Sequence, residues 1–198
     1  MATTGGLRER KKEATRRALH DAAMRLAAEH GLDDVTVEAI ADAAGVSRRT
    51  FSNYFGGKEE ALLYGAERRM RALLEAFEAR PRGEPSWTAL RAALDEQADG
   101  DGETACAPVR AEQARLAREH PAVMARLLAH YAGFERDFAD LIAAREGLPP
   151  GGVRPRVLAG AFMTALRIAT LAEIDERPAR HLADATDETL AEMARPFQ

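Results

Sequence analysis

Arg48, Arg49, Thr50 and Asn53 fall within a stretch of six residues, and their side chains are the kinds that recognise nucleic acid. Guanidinium suits guanine O6 and N7, carboxamide suits adenine, and hydroxyl suits phosphate or either base. At about 100° per residue, Arg49 and Asn53 lie on one side of a short helix, Thr50 and Ser52 flank them, and Phe51 and Phe55 lie nearly opposite. One face is therefore an apolar anchor, and the other can grip or read a duplex. Any surface helix of a bundle has a polar outer face; what points to DNA is the order of cap, tight turn, cap and aromatic anchors around this one.

The elements that must position these groups are legible just upstream. The Thr36 hydroxyl can cap a first short helix, and Glu38 inside it favours the positive end of the macrodipole. Val37, Ile40, Ala41 and Ala44 then share one face, the alanines small enough for another helix to cross closely. Gly45 suits a left-handed helix end, Val46 turns back into the core, and Ser47 can cap the second helix.

The remainder reads as helix, with no Val/Ile/Thr-rich alternating run bounded by hairpin turns. The expected architecture is all-α, with about nine helices. The first runs from about Leu7 to Glu29, with Leu19, Ala22, Ala23 and Leu26 inward and Gly31 ending it. After the two short helices, a long fourth runs from Lys58 to about Arg80, apolar along Leu62, Leu63, Met70, Leu73, Leu74 and Phe77. PRGEPS breaks it, and Ser86 can cap a fifth helix carrying Trp87, Leu90 and Leu94. A sixth lies near Pro108 to Glu119, and Pro121 opens a seventh reaching about Arg145. An eighth spans about Arg154 to Glu176, and Pro178 opens a ninth that ends before Pro196.

The 198 residues are 46% hydrophobic and 30% charged, enough to bury a substantial core. Net charge is −4 overall, but residues 1–17 carry +4 and residues 1–58 carry +2, so the acidity belongs to the rest. A basic arm on an acidic body suits DNA held against one end, although a basic arm can also be a solubilising tail. The single cysteine, Cys106, excludes an intramolecular disulfide and a multi-thiolate zinc cluster within one chain. No apolar run approaches the length of a membrane span, and the N-terminus lacks the apolar core of a signal peptide. A cytoplasmic protein without membrane association is expected. The five histidines (His20, His30, His120, His130 and His181) have no metal-ligand spacing and read as helix-end or surface residues. There is no phosphate-binding glycine loop, nucleophile elbow or His-Glu-x-x-His. No catalytic residue, metal or cofactor is assigned, and an enzyme is not expected.

Five signature groups occur in order: Ala-Glu-His-Gly closing the first helix, Thr-Val-Glu-Ala-Ile-Ala, Ala-Gly-Val-Ser, Thr-Phe-x-x-Tyr-Phe, and the Lys58 to Leu63 segment. With them, residues 15–63 resemble the DNA-binding domain of the TetR family of transcriptional regulators. The resemblance implies a helix-turn-helix head over residues 1–57 and a ligand-binding and dimerisation domain over residues 58–198. It places Thr36, Tyr54 and Lys58 at phosphate-contacting positions, and Arg48, Arg49, Thr50 and Asn53 at base-facing positions of a recognition helix spanning Ser47 to Tyr54. Glu38 departs from the pattern, standing where the family's namesake carries a base-reading arginine. The implied partners are double-stranded operator DNA, a small-molecule inducer, and a second copy bound through the last two helices. The small residues of AGAFMTAL (Ala159 to Leu166) permit such packing, as they would an intramolecular hairpin.

Residues 105–173 more faintly resemble the C-terminal domain of the mycofactocin-regulator-like branch. The resemblance rests on Arg115 to Pro121, Ala125 to Tyr131, Phe134-Glu135, Ile142 to Arg145, and Pro155 to Arg167. It implies an acyl-coenzyme A or similar amphipathic ligand. A pocket between the fourth and eighth helices is expected to be lined by Trp87, Met124, Leu128, Tyr131, Phe134, Phe138, Phe162 and Met163. These residue types at helical spacing also fill ordinary bundle cores. Arg110 and Arg167 lie in otherwise apolar stretches, and a buried arginine needs an anionic partner, which Glu112, Glu135 or a ligand carboxylate or phosphate could supply. The expected function is a DNA-binding repressor released by a small molecule. The alternative is a helical small-molecule binder or enzyme with a vestigial DNA head.

Overall fold

The computed structural model describes residues 4–99, 103–175 and 182–193. Among them every regular element is a helix: α1 (Thr4–His30), α2 (Val37–Ala43), α3 (Arg48–Ser52), α4 (Lys58–Ala79), α5 (Ser86–Asp99), α6 (Glu103–Glu119), α7 (Pro121–Glu146), α8 (Val153–Asp175) and α9 (Leu182–Met193). None of the described helices is long and apolar enough to cross a membrane.

Local chemistry sets most of these limits. Thr36 is extended and its hydroxyl accepts from the Ala39 N–H at 3.1 Å, starting α2. Gly45, at φ +69°, ends it: the Gly45 N–H donates to the Asp42 carbonyl and the Val46 N–H to the Ala41 carbonyl. This crossed pair needs a left-handed residue, which glycine adopts without a Cβ clash. Ser47 repeats the Thr36 device for α3, accepting from the Thr50 N–H at 3.1 Å.

Other limits differ from the sequence expectation. Helix α5 starts one position earlier than a Ser86 cap implies, because the Pro85 carbonyl already accepts the first helical bond, from the Ala89 N–H at 2.9 Å. Ser86 is thus the first helical residue, and its buried hydroxyl does not cap the helix. Helix α6 begins at Glu103, so Pro108 sits in its second turn instead of opening it. Pro178 and Pro196, expected to bound the ninth helix, lie outside the described residues, as does His181.

Packing divides the chain into two compact units, Met1–Arg68 with Arg115–Leu127, and Arg69–Ala114 with Leu128–Gln198. In the first, Leu19, Ala23, Ala27, Ile40, Ala41, Phe51, Phe55, Ala61, Leu62 and Leu63 are buried, together with Leu116 and Val123. In the second, the core is built by Met70, Leu73 and Phe77 of α4, Leu90 and Leu94 of α5, Phe134, Phe138 and Ile142 of α7, and Ala159, Phe162, Met163 and Leu166 of α8. Phe138 stacks edge-on against Phe162 at 5.6 Å and meets Phe77 at 6.1 Å. Arg145 lies over the Phe77 ring at 5.1 Å and donates to the Pro81 carbonyl at 3.0 Å, fastening the turn after α4. Helix α9 packs on α8 and α5, and Arg91 of α5 pairs with Asp187.

Candidate nucleic-acid interface and ligand lobe

Helix α3 is held by its apolar side, which leaves its polar side outward. Phe51 and Phe55 are buried, their ring centroids 5.8 Å apart, and Phe55 meets Tyr64 edge-on at 5.6 Å. Arg48, Arg49 and Asn53 are exposed, and Thr50 is half-buried. The regular helix is shorter than the expected Ser47 to Tyr54: it spans Arg48–Ser52, and the chain continues as a turn in which the Tyr54 and Phe55 N–H groups both donate to the Phe51 carbonyl at 2.9 Å. Ser47 and Thr50 also share a hydroxyl–hydroxyl bond of 2.9 Å, so the cap fixes both side chains. The Arg16 guanidinium stands over the half-buried Tyr54 ring at 5.8 Å, adding a cation from α1 beside an expected phosphate contact.

Two charged groups have partners that the sequence did not reveal. Arg48 Nη1 lies 3.0 Å from Glu38 Oε1, an exposed pair spanning the turn between α2 and α3. Lys58, expected at phosphate, instead donates to the Leu32 carbonyl at 2.8 Å, the Val35 carbonyl at 3.0 Å and the Asp33 carbonyl at 3.4 Å. An ammonium has three protons, and here each has a backbone acceptor in the α1–α2 loop. Lys58 therefore ties that loop down in this structure.

Further polar contacts brace the head. His20, read from sequence as a helix-end or surface residue, is buried, with Nδ1 2.8 Å from the Ala61 carbonyl, linking α1 to α4. The Tyr64 hydroxyl donates to Glu13. Burial, then this bond, pushes the Tyr64 phenol up to about 12. For Glu13, burial opposes ionisation, but the Tyr64 bond and the Arg17 guanidinium outweigh it and hold the carboxyl below its usual range. Glu60 Oε2 accepts from the Gly56 N–H at 2.8 Å and from Arg126 of α7 at 2.9 Å, and Asp33 lies 3.4 Å from His120 Nδ1.

The expected ligand-lining residues do not all converge. Phe134, Phe138, Phe162 and Met163 belong to the second unit's buried core, with Trp87 and Tyr131 packed at its edge. Met124 falls in the first unit and Leu128 is 51% exposed. A 26-residue helix such as α7 is about 39 Å long, so residues near its start and near its middle serve different cores. Arg167, expected to be buried, is exposed: one turn after Met163 on α8, it lies at the edge of the face that carries Phe162, Met163 and Leu166. Its charge still reaches Tyr131: burial raises that phenol's pKa, while Arg69 and Arg167 oppose the rise. Arg110 falls in α6, but its side chain lies outside the described residues. Among the described residues, no group of three or more His, Cys, Asp or Glu could hold a metal ion.

A family model of bacterial regulatory proteins of the tetR family matches residues 19–64, and a model of the MftR C-terminal domain matches residues 84–198, more than half of the chain. The chain belongs to the TetR family. It is 35% identical over 170 residues to the HTH-type transcriptional regulator TcmR of Streptomyces glaucescens, covering 83% of this chain and 75% of that protein. To MftR of Mycobacterium tuberculosis it is 29% identical over 154 residues, covering 76% and 75%. Two solved structures share the fold. Thermus thermophilus FadR, a TetR-family repressor in complex with lauroyl-CoA, aligns with TM-score 0.57 and 23% identity over 92% of this chain and 96% of that one. The SmeT–triclosan complex aligns with TM-score 0.58 and 22% identity over 90% and 91%. This TetR-family chain is a transcriptional regulator with an N-terminal helix-turn-helix and a C-terminal helical domain.

Within the TetR head, sequence alone identified the capping residues and the anchored, outward-facing helix. It missed Glu38 as the partner of Arg48, Lys58 as a loop anchor, and Arg16 above Tyr54. Opposite charges flanking the turn were the available signal for the first; the other two depend on contacts between α1, its following loop and distant residues.

Proposed function

We propose that this protein is a ligand-responsive repressor that binds a palindromic operator as a homodimer and is released by a hydrophobic or amphipathic small molecule such as an acyl-coenzyme A. The observation that carries the reading is the doubly capped α2–α3 head, in which Phe51 and Phe55 are buried while Arg48, Arg49 and Asn53 face outward. In this reading residues 1–57 form the DNA head and 58–198 the ligand and dimerisation domain. Helix α3 enters the major groove, with Arg48, Arg49, Thr50 and Asn53 toward bases and Thr36, Ser47 and Tyr54 near phosphates. Two-fold symmetry then requires half-sites about 34 to 36 Å apart, or a multiple of that spacing.

Exposed Val153 (77%), Val157 (61%) and Ile168 (39%) on α8 support a second copy packing against that helix. The aromatic core of the C-terminal domain, and the ligands held by proteins of the same fold, support a hydrophobic ligand there. Arg167 and Arg69, both acting on Tyr131, would meet an anionic group of such a ligand. Helix α4 carries residues of both units, so a shift of that helix would relay occupancy to the head. The ligand acts only through its differential affinity for the two states.

Gel shift of the purified protein on DNA upstream of its own gene, against random duplex, tests the reading. Mass spectrometry of co-purified small molecules then supplies the inducer, and adding that compound is expected to release the DNA. Equal affinity for both duplexes would overturn the proposal. Turnover of the bound compound would favour the enzyme alternative.

A further inference from the structure

We infer that Glu38 is a specificity-determining positioning residue: it holds the Arg48 guanidinium against one base pair of each half-site without itself touching the base. The inference rests on the DNA-reading role proposed above and goes beyond it: at a position where the family's namesake carries a base-reading arginine, Glu38 is given a positioning part in place of a base contact.

The geometry is direct. Arg48 is the first residue of α3, immediately after the Ser47 cap, and Glu38 lies in the first turn of α2. Their side chains meet at 3.0 Å, Nη1 to Oε1, across the turn built by Gly45. Both remain largely open to solvent, at 71% and 53% side-chain exposure. An exposed pair of this kind adds little to folding stability, so its consequence is conformational. An arginine at the end of a helix has four side-chain torsions to fix before it can read a base, and the carboxylate removes much of that freedom. One Arg48 nitrogen engages Glu38. A guanidinium carries five N–H donors, so a second edge stays available for guanine O6 and N7, the bidentate contact that arginine makes best.

The pairing also accounts for a carboxylate on a surface meant for phosphates. Alone, Glu38 would repel any duplex; paired, its charge is offset locally by Arg48. The two contributions differ in sign on different DNA, which makes the inference testable. Removing the Glu38 charge lessens repulsion on every sequence and frees Arg48 on the operator.

The test uses the full-length protein with Glu38→Gln, Glu38→Ala, Arg48→Ala and Glu38→Gln/Arg48→Ala, each checked for an unchanged melt. Each is selected against a random duplex library, and binding is then measured on single-base-pair variants of the enriched motif. For Glu38→Gln we expect unchanged or tighter binding to random duplex and about a tenfold loss of preference at one symmetry-related base pair. Arg48→Ala should lose preference at that same pair, and the double variant should lose no more than Arg48→Ala alone. A wild type that enriches a motif while Glu38→Gln keeps every base preference overturns this inference and leaves the DNA-reading proposal standing. An additional loss in the double variant would mean that Glu38 reads a base itself, and also overturns it. A wild type that enriches no motif overturns both.

Discussion

Replacing Lys58 with methionine separates two roles for a residue that the family pattern puts at phosphate and this structure puts in the α1–α2 loop. Methionine keeps much of the aliphatic stem but removes the ammonium. Two of its bonds, to Leu32 and Val35 at 2.8 and 3.0 Å, are short and part-buried, and the third, to Asp33 at 3.4 Å, is long and exposed. Hydrogen bonds to a charged group contribute about 1.5 to 3 kcal/mol each when buried; with half-burial and solvent access to the loop, the sum falls to about 2 kcal/mol. The Leu32 carbonyl also accepts from the Val35 N–H at 3.2 Å, so the turn loosens as a unit. A loss of that size lowers the melting temperature of a chain this long by about 4 to 8 °C. Amide exchange at Val35 should accelerate by about thirty-fold. The assay is hydrogen exchange across residues 31–40 alongside a thermal melt, with DNA affinity measured at several salt concentrations. The reasoning is refuted if Lys58→Met leaves melt and exchange unchanged while the salt slope on random duplex becomes shallower by about one, the mark of a lost phosphate contact.

Four other outcomes follow from the same geometry. Arg49→Ala or Asn53→Ala should cost about 1 to 3 kcal/mol on the operator and relax base preference, with little change on random duplex, in fluorescence anisotropy titrations. The Tyr64 phenol is raised above its unfolded value, so the stability it contributes is full below about pH 10 and is lost as pH rises through about 12. Tyr64→Phe should lower stability by about 1 kcal/mol at neutral pH and flatten the alkaline decline in a urea-melt series. Glu13 works the other way: its depressed pKa gives stability that is present above the ordinary carboxylate range and lost as pH falls below it. Val157→Asp should shift sedimentation velocity toward monomer, because it puts a charge into the exposed apolar stripe of α8; an unchanged oligomer would place self-association elsewhere.

The parts legible in the sequence are those decided by neighbours along the chain. Thr36, Gly45 and Ser47 act within three or four residues, so the α2–α3 turn and its caps could be read directly. The 3.6-residue period likewise placed Phe51, Phe55 and Phe77 inward, whereas Phe138 and Phe162, expected to line a pocket, are part of a buried core. What was not legible depends on contacts far apart in sequence. His20 meets Ala61, and Lys58 meets Leu32 and Val35; a pattern of residue types does not specify which carbonyl a side chain finds. The ligand residues illustrate a second cause. Met124 and Leu128 share a helical face with Tyr131 by spacing, yet α7 passes through two packing units, so Met124 serves a different core from Tyr131, and Leu128 between them is exposed. Arg167 illustrates a third: an arginine in an apolar stretch of sequence is still exposed when it falls at the edge of its helix's buried face.

Whether the head selects a sequence is measured most directly by enrichment of the full-length protein on a random duplex library followed by footprinting of the enriched site. The expected result is a two-fold symmetric motif whose half-sites lie about 34 to 36 Å apart or a multiple of that distance, each protected in the major groove. A library that enriches no motif, or a footprint that is neither symmetric nor in the major groove, would contradict it.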